Sequence, residues 1–122
     1  MNEGQPIFQQ IMERIESDIA MGVYKVDELI ISTTQISKVY SVNHTTAVKA
    51  VSKLVDAEIL YKKRGIGMCV AEGARDKIIA RRRDAFLNHA VVGLLKEAKV
   101  LGITVDELIN IIKNKEGENK SG

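Results

Sequence analysis

The chain has 122 residues, 45% of them hydrophobic and 28% charged, with a net charge of +2, which are the proportions of a globular domain rather than a disordered chain. Its single cysteine, Cys69, excludes an internal disulfide framework and fits a reducing compartment. No apolar run approaches the roughly 18 residues of a membrane span, and the start, MNEGQPIFQQ, lacks the basic and apolar segments of a secretory signal. A cytoplasmic protein is expected.

Pro6 suits the first turn of a helix, and Ile7, Phe8, Ile11, Ile15 and Ile19 then recur at three- and four-residue steps up to Gly22. Residues 23–31 read as a short connection, with room for a turn of extended chain. Ser32 or Thr33 can cap a second, short helix with Ile36 and Val39 inward. Asn43 is a good N-cap for a third helix, whose buried stripe is Ala47, Ala50, Val51 and Leu54. The period then changes. Residues 58–64 (EILYKKR) read as a strand, Gly65-Ile66-Gly67 as a tight turn and residues 68–71 (MCVA) as the return strand of a hairpin.

From Ala74 a long helix is expected to about Lys99, striped by Ile78, Ile79, Phe86, Leu87, Ala90, Val91, Leu94, Leu95 and Ala98. Gly102 ends it. Thr104 with Glu107 three residues later is a capping box for a last amphipathic helix carrying Val105, Leu108, Ile109 and Ile112. The polar tail KNKEGENKSG reads as frayed.

Charge is distributed unevenly. Residues 1–37 carry −4, residues 38–83 carry +7 from eleven Lys and Arg against four Asp and Glu, and residues 84–122 carry −1. A basic middle fits a polyanion-binding surface, although exposed lysines are often only solvated decoration.

The order helix, helix, short turn, helix, hairpin is that of a winged helix-turn-helix. The fold expected is mostly α with a small β-hairpin (α+β). Residues 5–72 would form the DNA-binding domain, 73–114 a two-helix dimerisation region and 115–122 a disordered tail. A DNA-reading helix sets its N-terminal residues at base edges and phosphates. Asn43, His44, Thr45, Thr46 and Val48 then face DNA, with Lys49 and Lys53 reaching phosphate and Lys63, Arg64 and Gly65 forming a basic wing tip. Each has a plainer reading: His44 as a surface histidine, the threonines as caps, the wing charges as protection of a sheet edge.

Residues 6–11 (PIFQQI), 42–50 (VNHTTAVKA) and 54–70 (LVDAEILYKKRGIGMCV) together resemble the GntR family of transcriptional regulators. The tail VVGLLKEAKVLGITVDELINIIKN resembles the short C-terminal region of its YtrA-type members. The resemblance implies a homodimer on a palindromic operator, usually acting as a repressor, often of an ABC-transporter operon. It also places Ser32 and Thr34 at the DNA surface. Two departures stand out. Ile31 stands where the family has proline, and Thr34 where it has a DNA-contacting arginine. Losing one such contact costs on the order of 1–3 kcal/mol.

Dimerisation falls to Ile79, Phe86, Leu87, Ala90, Val91, Leu94, Leu95, Leu108 and Ile112, because so large an apolar stripe exceeds what a monomer leaves exposed. Arg81-Arg82-Arg83 reads as a solvent face or as partners for another subunit's acids, ahead of an extension of the DNA surface; Cys69 reads as a packed thiol ahead of a redox sensor, and His89 as a packing or interface residue. No metal-ligand spacing, nucleophile–base pair or glycine-rich phosphate loop is recognisable, so no cofactor and no enzyme activity are expected. Double-stranded DNA and a second copy are the partners expected, with no membrane; an effector is left open. The alternative is a winged-helix protein-interaction module with weakened DNA binding.

Overall fold

The computed structural model describes residues 4–121. Elements follow in the order α1 (Ile7–Ala20), α2 (Thr33–Tyr40), α3 (His44–Asp56), β1 (Leu60–Lys63), β2 (Gly67–Val70), α4 (Ala74–Ala85), a π-helical turn (Phe86–Val91), α5 (Val92–Val100) and α6 (Val105–Ser121). They divide into two compact units, one running to Arg81 and the other starting at Arg82.

The first unit is built on aliphatic side chains brought together by helical spacing. Ile11, Ile15 and Ile19 of α1, Ile36 of α2 and Ala47, Ala50, Val51 and Leu54 of α3 are all buried in one cluster. Fully burying an Ile or Leu contributes roughly 1.5–3 kcal/mol relative to leaving it exposed. The two alanines of α3 are fully buried, which suits close packing of α3 on α1 and α2.

Helix starts are set by side-chain caps. Ser32 caps α2 in a reciprocal box: its Oγ accepts from the Gln35 amide N–H at 3.1 Å, and Gln35 Oε1 accepts from the Ser32 N–H at 2.9 Å. Asn43 Oδ1 accepts from the Thr46 N–H at 2.8 Å at the start of α3. Between α2 and α3 the chain turns through Ser41, which adopts a left-handed φ of 54°.

β1 and β2 pair antiparallel, with Leu60 opposite Val70 and Lys63 opposite Gly67. The strands are thus shorter than the sequence alone implies, and Arg64 leaves the strand for the turn. Within the connection, the stretch expected as a turn of extended chain adds to the sheet. Leu29 bridges to Cys69, the Ile30 N–H donates to the Met68 carbonyl at 3.0 Å, and the Val70 N–H donates to the Glu28 carbonyl at 3.0 Å. These bonds satisfy the free edge of β2.

The first unit extends beyond residue 72, the boundary expected from Gly73. Ala74 and Ile78 of α4 are fully buried in its core, and the Arg75 Nε–H donates to the Ala20 carbonyl at 3.0 Å. Arg81 ion-pairs with Glu16 of α1, the one buried charged side chain among the described residues. An arginine expected on a solvent face or against a partner's acids is therefore committed within its own chain. A carboxylate buried this deeply requires a partner.

In the second unit the long helix is not uniform. Residues 86–91 form a π-helical turn between α4 and α5. Gly102 ends α5 at φ +72°. The expected capping box holds: the Glu107 N–H donates to Thr104 Oγ1 at 3.1 Å, and the Thr104 N–H donates to Glu107 Oε1 at 3.3 Å. α5 and α6 contact each other, and Ala98 and Leu108 are the buried residues of this unit among those described. α6 continues as helix to Ser121 where a frayed tail was expected from 115. Lysines and glutamates there favour helix, and Lys115 pairs with Glu118 at 3.6 Å. Gly122 lies outside the described residues.

Candidate nucleic-acid interface

The first turn of α3 is open to solvent. Asn43, His44 and Thr45 are exposed and Thr46 is half-buried, while Ala47 and Ala50 face the core. Small polar side chains thus sit at a helix N-terminus, where backbone N–H groups and the helix dipole favour phosphate oxygens. The Thr46 hydroxyl donates to Asn43 Oδ1 at 2.9 Å, so its proton is engaged while its oxygen remains an acceptor. Val48 is exposed on the next turn and offers an apolar surface with no hydrogen-bonding group. Lys49 and Lys53 are also exposed, and their ammonium groups lie 4.1 and 5.7 Å from the centroid of the Phe8 ring.

The hairpin supplies a second basic element in the same unit, with β1 packed against α3. Arg64, Gly65 and Ile66 form its tip, closed by the Ile66 N–H donating to the Lys63 carbonyl at 3.0 Å. Arg64 is exposed and Lys63 half-buried. Gly65 has φ +79° with nothing near the place a Cβ would occupy, so its need for glycine is conformational and its face is open. Ile66 is exposed at the tip, a feature its sequence position between two glycines did not single out. Tyr61 ties the wing base to the incoming chain: its hydroxyl donates to Asp27 Oδ1 at 2.6 Å, which pushes the phenol up to about 12. It therefore stays neutral through the physiological range.

Thr34 is exposed in the first turn of α2, two residues after the Ser32 cap. Ser32 Oγ already accepts the Gln35 N–H, leaving its hydroxyl proton for an outside acceptor.

Of the proposed dimerisation residues, Phe86, Leu87, Ala90, Leu94, Leu95 and Ile112 are exposed in the single chain and Val91 is half-buried. Leu108 differs, being buried by its own chain, and half-buried Ile79 belongs to the first unit. His89 is exposed on the π-helical turn. Cys69 is buried at the Leu29 bridge, as a packed thiol. Among the described residues no three His, Cys, Asp or Glu side chains come together as a metal site, and no helix is long and apolar enough to cross a membrane.

Three core helices, a tight turn into an exposed polar helix start and a basic hairpin define a winged helix-turn-helix. No family model matches the chain. It is 32% identical to a GntR-family transcriptional regulator from Bacteroides thetaiotaomicron, a crystal structure that superposes with a TM-score of 0.76 over 93% of this chain and 99% of that one. The chain belongs to the GntR family of transcriptional regulators. It is also similar to the HTH-type transcriptional repressor YtrA of Bacillus subtilis (strain 168), at 22% identity over 96% of this chain and 89% of the relative. The DNA-binding domain of AraR, crystallised with operator ORR3, is 32% identical over 54% of this chain and 80% of that one, with a TM-score of 0.52.

Proposed function

We propose that the protein represses transcription by binding a palindromic operator as a homodimer, with an ABC-transporter operon as its target. The observation that carries DNA binding is the exposed N-terminal turn of α3 in the same unit as the basic wing. The likeness to AraR, whose domain was crystallised on operator DNA, supports the same reading. His44, Thr45, Thr46 and Val48 read bases in the major groove, Asn43 aligns the helix start, and Lys49 and Lys53 neutralise phosphate. Lys63, Arg64 and Gly65 lie against the backbone beside the groove, and Ser32 and Thr34 approach it from the start of α2.

The exposed apolar side chains of α5, α6 and the π-helical turn are covered by a second copy. An isologous interface gives the dimer the two-fold axis of a palindrome, with half-sites about one helical turn apart. Operator specificity differs from that of relatives carrying arginine at the Thr34 position, because a hydroxyl there cannot make a bidentate contact to guanine.

Selection of bound genomic fragments, followed by footprinting, tests this reading. The expected outcome is a palindromic site upstream of a transporter operon, bound with an affinity that falls steeply with salt. Recovery of no DNA, with a partner protein captured instead, sinks it in favour of an interaction module, the reading that Thr34 favours.

A further inference from the structure

We infer that Phe8 is a positioning residue for DNA binding: its ring gathers the Lys49 and Lys53 ammonium groups into one preformed phosphate clamp along α3. The inference rests on the reading of α3 as the recognition helix. Its starting point is an arrangement that α3 alone would avoid. Lys49 and Lys53 stand four residues apart on one helix, where two like charges repel. Free in solvent they would splay apart. Instead both converge on the same aromatic ring, at 4.1 and 5.7 Å from its centroid, within the reach of a cation–π interaction.

The choice of partner matters. Among the described residues no carboxylate pairs with either lysine. A carboxylate would orient a lysine and also cancel its charge. An aromatic face orients the ammonium and leaves the charge available to phosphate. The ring itself is held from below: Phe8 is half-buried and packs on the cluster containing Ile11 and Ile15 of α1, and α1 packs on α3. Two long side chains therefore lose freedom during folding rather than at the moment of binding, which raises affinity without adding a contact.

The test uses the full chain and its selected operator. Phe8→Leu keeps apolar bulk and loses the ring face; Phe8→Tyr keeps the face. Phe8→Leu is expected to weaken binding about two- to fivefold, the range of an exposed cation–π contact, with Phe8→Tyr at wild-type affinity. The slope of affinity against salt stays unchanged in Phe8→Leu, because both charges remain, whereas Lys49→Gln with Lys53→Gln lowers it by about 2. In that double-glutamine background Phe8→Leu has no further effect. Without DNA, the Lys49 side-chain protons next to the ammonium show an upfield ring-current shift that Phe8→Leu abolishes, while its melting profile shows the variant folded. Wild-type affinity in Phe8→Leu overturns the role of Phe8. So does a loss that persists in the double-glutamine background, or the absence of the ring-current shift. A wild-type chain that binds no DNA overturns the recognition reading itself, and this role with it.

Discussion

The two units use the same kinds of aliphatic residue and close them in opposite ways. Up to Arg81, Ile11, Ile36, Leu54, Leu60 and Ile78 are each exposed by 1% or less. From Arg82 onward, Phe86 is 61% exposed, Leu95 43% and Val100 85%, and only Ala98 and Leu108 are buried among the described residues. The first unit is complete as a single chain. The second leaves many of its large apolar side chains in water, more than single chains usually expose. On the function proposed above, DNA reading falls to the closed unit and assembly to the open one.

The largest expected effect lies in the closed unit. Leu54→Ala removes a fully buried side chain and should destabilise it by about 2–5 kcal/mol in a denaturant titration. Leu95→Ala, measured at protein concentrations where no dimer forms, should change stability by less than about 0.5 kcal/mol. Similar losses at both positions would break the comparison. A charge in the open unit should act on assembly instead. Leu95→Asp or Phe86→Asp should weaken the dimer by roughly thirtyfold or more, a cost of about 2 kcal/mol at a buried interface residue. Sedimentation reads this, and circular dichroism should show both variants folded.

Arg81→Ala should cost about 2 kcal/mol, because Glu16 stays buried without its partner. The double variant Lys63→Ala with Arg64→Ala should lower operator affinity about tenfold and reduce the salt slope by about 2, with the melting temperature unchanged. Unchanged binding would remove the wing from the interface. Smallest is Asn43→Ala, expected to cost about 1 kcal/mol through loss of the α3 cap.

Much of the fold was legible because it is written in local spacing. The stripes of α1 and α3, the caps at Ser32, Asn43 and Thr104 and the glycine-bounded hairpin all announce themselves within a few residues. What stayed hidden joins distant positions. The Glu16–Arg81 pair spans 65 residues, and a triple arginine looks like solvent decoration until a buried carboxylate is placed beneath it. The bridge from Leu29 to Cys69 uses backbone groups, which leave no signature in side-chain type. The π-helical turn breaks no apolar pattern strongly enough to be seen. At the candidate interface, helix position alone assigned Lys49 and Lys53. That Phe8 stands beneath their charges depends on how α1 crosses α3, and Phe8 otherwise reads as one more residue of an apolar face.

The central claim, that a closed reading unit is joined to a unit completed by a second copy, is tested most directly by sedimentation of the full chain without DNA at micromolar concentration. The predicted result is a species of twice the chain mass that reverts to single chains in Leu95→Asp. A wild-type protein that sediments as a single chain at tens of micromolar would contradict it.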